Sequence, residues 1–557
     1  MSGQRGPSTA DELVTLAEER YALGRADDGE PYAVERSGPN VARFFRGGRA
    51  SLRAALAAAY ADQHDRVPSA QSLVDALAVL EGRALQASRR ALPLRSARTA
   101  GGVVLDMGDE TGRAIAVTAH GWEILDRSPV TFRRSELVGG LPAPMSGGDL
   151  LAELQQLLNL EGDDLAIVLA QLIGVLLGLP VVIVLLRGPA GVAKTSAARI
   201  LVLLLDPGPA PVRGAPKDPE AWAVTAAGSV VVALDNLDTI PGWLSDVLCR
   251  AVTGEGFLRR ALYTDGAISV VAFRRAVILT AIDPGSLRGD LADRLAVVDL
   301  RPIAEEDRLD DAAVAARFGE AHPRLLGAVL DLVVKVLAVL PTISLDRRPR
   351  MADYARVLAA VDGTLGTNGL VSYLGQRGEL QRDAAEGDRV GAAVLAFMGE
   401  RDTWSGTAAE LRDALTPEHP PRDWPTTPRG LSAALRRVAQ PLLSAGIRVT
   451  FGGREGHRGR RVMRLEKVGD EPSASAASTA PDPTPPQSAP DTADDADDRA
   501  VPADGWERAG ETTASRPPVP ADGADGADDR SPDSSPPPVE NEYPRSAWCP
   551  DDGGLPT

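Results

Sequence analysis

Residues 181–195 read VVIVLLRGPAGVAKT, an aliphatic and β-branched run that passes directly into a glycine-containing loop ending in Lys-Thr. An apolar run without polar alternation suits a strand buried on both faces, as at the centre of a parallel sheet. The loop Gly188–Thr195 follows the spacing GxxxxGK[ST] at every fixed position but one, since Ala193 stands where glycine is usual. In such a loop Gly188, Pro189, Ala190, Gly191, Val192 and Ala193 present backbone N–H groups to phosphates. The helix opening with Lys194, Thr195 and Ser196 adds its positive end. Lys194 would meet the β- and γ-phosphates of ATP, and the Thr195 hydroxyl would ligate Mg²⁺. Ala193 keeps its N–H and adds only a methyl. The bland alternative is a glycine-rich strand–helix turn that binds nothing.

Working upstream, LAIVLAQLIGVLLGLPVVIVLL (165–186) is apolar enough to suggest a membrane span. Gly178 and Pro180 divide it, however, so a buried helix followed by a central strand is the expectation. Working downstream, Mg²⁺ also needs a carboxylate at the end of a neighbouring strand. SVVVALDNL supplies Asp235, preceded by five apolar residues and 41 positions beyond Lys194. Asn236 follows, where a water-polarising glutamate would be expected; either Asp238 substitutes as base, or Asn236 orients water, or hydrolysis is slow. AVILTAID (276–283) reads as a further buried strand whose Thr280 could sense the γ-phosphate.

Composition bounds the rest. The 557 residues are too many for one core, and their formal charge of −17 is unevenly spread. Residues 470–557 hold 20 Asp/Glu against 5 Arg, which leaves about −2 for the remainder, so the acidity says little about what the folded part binds. Cys249 and Cys549 are too few and too far apart for a disulfide framework or a zinc site, and the start MSGQRGPSTADEL has no apolar core. A reducing cytoplasmic compartment, with no membrane association, fits both. The five histidines show no metal-ligand spacing, and His120 reads as a turn residue.

The run DNLDTIPGWLSDVLCRAVTGEGFLRRALYTDG (235–266), followed by FRRAVILTAIDPGSLRGDLADRL (273–295), resembles AAA+ P-loop ATPases of bacterial mobile elements and phages. These are related to the helicase half of primase-helicases. LDMGDETGRAIAVTAHGWEI, SPVTFRRSELVGGLPAP, RRPRMADYARVLAAV and the segment from Val390 to Leu465 extend the likeness over roughly residues 85–467. The resemblance implies that Lys194, Thr195 and Asp235 bind MgATP. It also implies a trans-acting arginine, for which Arg260, Arg275 and Arg294 are the candidates, and a homo-oligomeric ring, a hexamer being the candidate. An arginine there would neutralise charge on the transferring phosphoryl group.

The expected fold class is α/β, with a P-loop AAA+ parallel-sheet core over 149–302. Around it are expected helical residues 1–90, a β-rich module over 91–148 and a helical lid over 303–387. A winged-helix-like domain should span 388–467, and an acidic Pro/Ala/Asp-rich tail over 468–557 lacks the aliphatic residues to offset its ordering entropy. In the winged-helix segment Arg429, Arg436 and Arg437 fall on the third helix. Arg454, Arg458, Arg460 and Arg461 fall on a glycine-rich wing. Such arginines suit phosphate contacts with DNA, or a solvated face on a protein-binding module. Two functions are therefore open: a DNA helicase or translocase driven by ATP hydrolysis, or an ATP-dependent assembly switch that turns over little and recruits a protein partner. No partner is legible for the tail.

Overall fold

A computed structural model describes residues 8–46, 50–260, 268–285, 287–346, 348–455 and 460–468. The expected tail lies outside them, apart from Val468.

The N-terminal segment differs from the all-helical expectation. Helix α1 (Thr9–Arg20), closed by a Ser8/Asp11 capping box, runs into a hairpin of β1 (Tyr21–Ala26) and β2 (Pro31–Glu35). β3 (Arg43–Phe44), α2 (Leu52–His64), α3 (Ala70–Ala84) and β4 (Arg89–Arg90) complete it, with strand order β3-β2-β1-β4. The hairpin forms because Asp27-Asp28-Gly29 makes a tight turn, Gly29 sitting at φ 91° with its N–H bonded to Ala26 O. Leu13, Leu16, Leu56 and Leu77 of the three helices pack over one face of this sheet.

Four short strands come next. β5 (Ser96–Thr99), β6 (Gly102–Asp106), β7 (Ala114–Thr118) and β8 (Gly121–Leu125) form an antiparallel meander. VTFRR (130–134) contributes only one bridge, between Phe132 and Val41, and no full strand.

The core begins with α4 (Leu150–Leu157) and α5 (Gly162–Leu176), followed by β9 (Ile183–Arg187) and α6 (Lys194–Leu205). Then come β10 (Val212–Arg213), α7 (Pro219–Ala227), β11 (Val231–Leu234) and α8 (Gly242–Thr253). A hairpin of β12 (Gly256–Arg260) and β13 (Ile268–Ala272) precedes β14 (Ala276–Ala281), α9 (Gly289–Ala292) and β15 (Leu295–Asp299). Five strands form one parallel sheet in the order β10-β11-β14-β9-β15. Burial on both faces explains the unbroken apolar strands: β9, β11 and β14 are buried almost throughout. The α5 helix is the buried helix expected upstream of β9; its Gln171 donates to Val182 O at 2.9 Å and Val277 O at 2.7 Å, tying helix to sheet.

Three long helices follow: α10 (Asp311–Val339), α11 (Ala352–Leu365) and α12 (Gly369–Gly387). Among the described residues, only Asp311–Thr342 forms a helical stretch long and apolar enough to cross a membrane. Its Leu325, Leu326, Val329 and Val333 are buried in the core instead. Gln376 of α12 accepts from Val297 N at 3.1 Å and so covers the edge strand β15.

The last segment runs α13 (Arg389–Met398), β16 (Thr403–Gly406), α14 (Ala408–Leu415), α15 (Pro428–Ser444), β17 (Ile447–Glu455) and β18 (Arg460–Lys467). Its sheet is antiparallel in the order β16-β18-β17, one strand more than the sequence reading gave. Thr407 caps α14 in a capping box with Glu410.

Candidate nucleotide site

In a parallel sheet every strand delivers its carboxyl end to one edge, and ligands bind there. That edge gathers the loop after β9, Asp235 after β11 and Thr280 near the end of β14. β9 lies between β14 and β15, so its loop has Thr280 of β14 beside it and Asp235 of β11 one strand further on the same side.

Two glycines of the loop are required by geometry. Gly188 has φ 151°, and a Cβ there would meet Leu300 O at 2.9 Å; Gly191 has φ 80°. Ala193 also lies in the left-handed region, at φ 63° and ψ 29°, where its methyl is strained by about 1–2 kcal/mol. Ala193 is the N-cap of α6 and makes no side-chain cap bond, so the first N–H groups of the helix are left for an anion. Pro189 and Ala190 are exposed, Val192 is buried and anchors the loop, and Ser196 is half-buried.

Lys194 Nζ donates to Gly188 O and Pro189 O, both at 2.7 Å. Burial lowers its pKa while the Asp235 charge opposes that shift. Thr195 Oγ1 lies 3.0 Å from each carboxylate oxygen of Asp235, and Thr280 donates its hydroxyl to Asp235 Oδ1. Thr280, only 1% exposed, also accepts from Asn236 N at 2.9 Å, which locks the end of β11 against β14. Asn236 is exposed at φ 56°, a conformation asparagine tolerates better than glutamate. Asp238 is exposed nearby. The set of one carboxylate, one hydroxyl and a loop for phosphates fits Mg²⁺ bound jointly with a nucleotide, since Mg²⁺ keeps waters and takes few protein ligands.

Sequence reading missed Arg308. Its guanidinium reaches the loop: a Cβ on Gly191 would lie 3.5 Å from Nη2. The residue follows a 3-10 turn (Glu305–Asp307) between core and lid, and no spacing in the sequence marks it.

Two of the three expected arginines lie away from the loop. Arg275 and Arg294 precede β14 and β15, at the opposite strand ends from Thr280 and the loop. Arg275 is 9% exposed, donates to Ala226 O at 2.6 Å and Arg274 O at 2.9 Å, and stacks on Phe273; burial pushes its pKa down to about 10. Its guanidinium is consumed in holding the sheet, which corrects the expectation of a presented arginine. Arg294 is 7% exposed and donates to Asp290 O at 2.8 Å, so it too is turned inward. The side chain of Arg260, on β12, lies outside the described residues.

In the C-terminal segment Arg429, Arg436 and Arg437 are all exposed on α15, and Arg461 is exposed on β18. Arg436 stacks on Phe451 at 4.2 Å, joining the helix to the sheet. Arg458 and the side chains of Arg454 and Arg460 lie outside the described residues.

Comparison with known families now bears on the chain. Residues 149–383 match the family model of the actinomycete integrative conjugative element replication protein, and residues 390–480 match the model of that protein's C-terminal domain. The likeness is to a mobile-element replication protein. It spans the sheet, the loop, the three long helices and the last folded segment. A comparison with curated proteins gives no match. Among solved structures, the apo C-terminal region of NrS-1 aligns at 11% identity over 83% of this chain and 100% of that one, with a TM-score of 0.36. JCV helicase aligns at 13% identity over 42% and 64%, with a TM-score of 0.21. A RuvB variant of Thermotoga maritima aligns at 16% over 53% and 89%, with a TM-score of 0.17.

Proposed function

We propose that the chain is an AAA+ ATPase of mobile-element replication that binds MgATP at the β9–α6 loop and couples its hydrolysis to unwinding or translocating DNA. The observation that carries this reading is the contact of Thr195 and Thr280 with Asp235, beside a lysine and a helix N-terminus free for phosphate. Lys194 and Arg308 would hold the phosphates, and Thr195 with Asp235 would hold Mg²⁺, which supplies charge neutralisation during phosphoryl transfer. Thr280 orients Asp235. The order helix, strand, helix, helix, strand, strand over 389–467 is that of a winged helix, and its exposed arginines suit DNA phosphates. A likeness to the helicase half of primase-helicases and a ring of subunits belong to the same proposal. Arg260 is then the trans-acting candidate, since Arg275 and Arg294 are buried.

A second reading rests on Asn236. No carboxylate stands at the residue after Asp235, so ATP binding could drive assembly and partner recruitment with little turnover. ATP turnover by the full chain, with and without single-stranded and duplex DNA, separates the two. DNA-stimulated turnover lost in Lys194→Ala supports the motor; tight ATP binding with negligible turnover in every condition supports the switch.

A further inference from the structure

A cleft of about 510 Å³ opens on the face of the N-terminal sheet that α1, α2 and α3 leave uncovered. Its floor is set by register: Ala22 faces Val34 and Gly24 faces Tyr32 across β1 and β2. The Tyr32 ring lies over Gly24, where a Cβ would come within 2.4 Å of it, and only 4% of Tyr32 is exposed. The floor is therefore smooth and offers no aromatic face for a base.

The side chains of Asn40, Thr131 and Glu35 in the lining already have partners. Asn40 donates to Ser128 O at 2.9 Å and accepts from Thr131 Oγ1 at 2.8 Å, so its amide is held to the wall of the cleft. Glu35, the acid in the lining, is paired with Arg43 at 2.9 Å. Three arginines remain. Arg36 donates to Glu18 O at 3.2 Å, and Arg127 donates to Gly38 O at 2.8 Å and Glu35 O at 3.0 Å, all backbone carbonyls. The Arg90 side chain, on a strand paired with β1, has no hydrogen bond or ion pair among the described residues. None of the three has a carboxylate partner among those residues, so an excess of positive charge converges on one concavity, where low-dielectric walls focus it.

We infer that this cleft is a nucleic-acid contact separate from the C-terminal segment, holding phosphodiester groups of a single strand by charge and without base selection. A volume of this size takes a short stretch of one strand and excludes a duplex. The covered tyrosine leaves no aromatic face on which a base could stack, which argues against a base pocket and hence against a free nucleotide. The inference stands independently of the nucleotide site, because no residue of the β9–α6 loop takes part.

The test is binding of fluorescein-labelled oligo(dT) and oligo(dA) to the full chain across a salt series, for wild type, Arg36→Ala/Arg90→Ala and the control Arg98→Ala, an exposed arginine outside the lining. In the double variant both oligonucleotides should bind about 10-fold more weakly, and the slope of log K against log salt should fall by about 1.4, two single-strand phosphates' worth. The control and DNA-free ATP turnover should not change. Arg90→Gln alone, at an exposed position, guards against a folding artefact and should remove about half of the slope change. Unchanged affinity and slope in the double variant would overturn the inference. So would labelled ATP binding that survives Lys194→Ala and is lost when Arg36→Ala/Arg90→Ala is added while oligonucleotide binding stays intact, which would reassign the cleft to free nucleotides.

Discussion

Thr195 Oγ1 sits 3.0 Å from both carboxylate oxygens of Asp235, so a hydroxyl from the loop helix and a carboxylate at the end of β11 share one point in space. This contact joins residues 40 positions apart and occupies the place where a divalent ion would be shared. In Asp235→Asn the volume is kept and the charge is lost. Turnover should fall about 100-fold or more, and ATP affinity should lose its dependence on Mg²⁺. Titration of Mg²⁺ against bound nucleotide checks it; Mg²⁺-dependent affinity retained in this variant would remove Asp235 from the ion site.

Ala193 carries a strain that glycine would release. The left-handed conformation costs an alanine about 1–2 kcal/mol, while glycine gives back about 0.5–1 kcal/mol through its greater freedom in the unfolded chain. Ala193→Gly should therefore stabilise the fold by about 0.5–1 kcal/mol and leave nucleotide affinity equal or better. Denaturant midpoints with and without ATP measure both. A less stable variant would mean that the methyl packs favourably enough to outweigh its backbone.

The sequence reading succeeded where one residue pattern has one physical solution. An unbroken aliphatic run before a glycine-containing loop has few homes outside a parallel sheet, and the structure places that run as β9 in one. It failed where signals were short or tertiary. YALGRA and PYAVE are brief and carry no strict alternation of apolar and polar residues, so the alanine-rich helices that follow dominate the pattern of residues 1–90. Arg275 and Arg294 look available in sequence because arginine is usually exposed, and only packing shows their guanidinium groups turned onto carbonyls. Arg308 approaches Gly191 across more than a hundred residues, a contact no spacing encodes.

The β-rich module is pinned to the core by a buried ion pair. Arg95 is 0% exposed and donates from Nε to Asp206 Oδ1 at 3.1 Å, while its other nitrogens reach Asp106 O and Gly139 O. Asp206 Oδ2 in turn accepts from Val230 N at 2.6 Å and Val231 N at 3.1 Å, at the start of β11. Arg95→Met leaves that carboxylate buried without its countercharge and should cost about 3–5 kcal/mol. Urea denaturation followed by circular dichroism measures the loss. A cost below about 1 kcal/mol would show that water or another cation reaches Asp206, and that the module is held by apolar packing alone.

His322 should make stability sensitive to mild acid. Its ring stacks on Phe318 at 4.7 Å, and Nε2 lies 3.2 Å from Leu204 O. Burial pushes its pKa down to about 4, with the Leu204 carbonyl opposing the shift. The folded state thus keeps the ring neutral between pH 6.5 and 4, while the unfolded chain takes up a proton there, so stability falls as pH drops through that window. From pH 7 to pH 5 this one group should remove about 2 kcal/mol. Asp164, whose carboxyl burial raises to about 6, acts in the opposite sense over an overlapping range, because the folded state holds its proton more tightly. The wild-type curve alone would therefore hide both. The measurement is the difference in urea midpoint between wild type and His322→Gln at pH 7 and at pH 5, in which Asp164 and the other carboxylates cancel. His322→Gln should gain on the wild type by about 2 kcal/mol as the pH falls. A constant difference at the two pH values would mean that the ring titrates normally and that α10 opens around it.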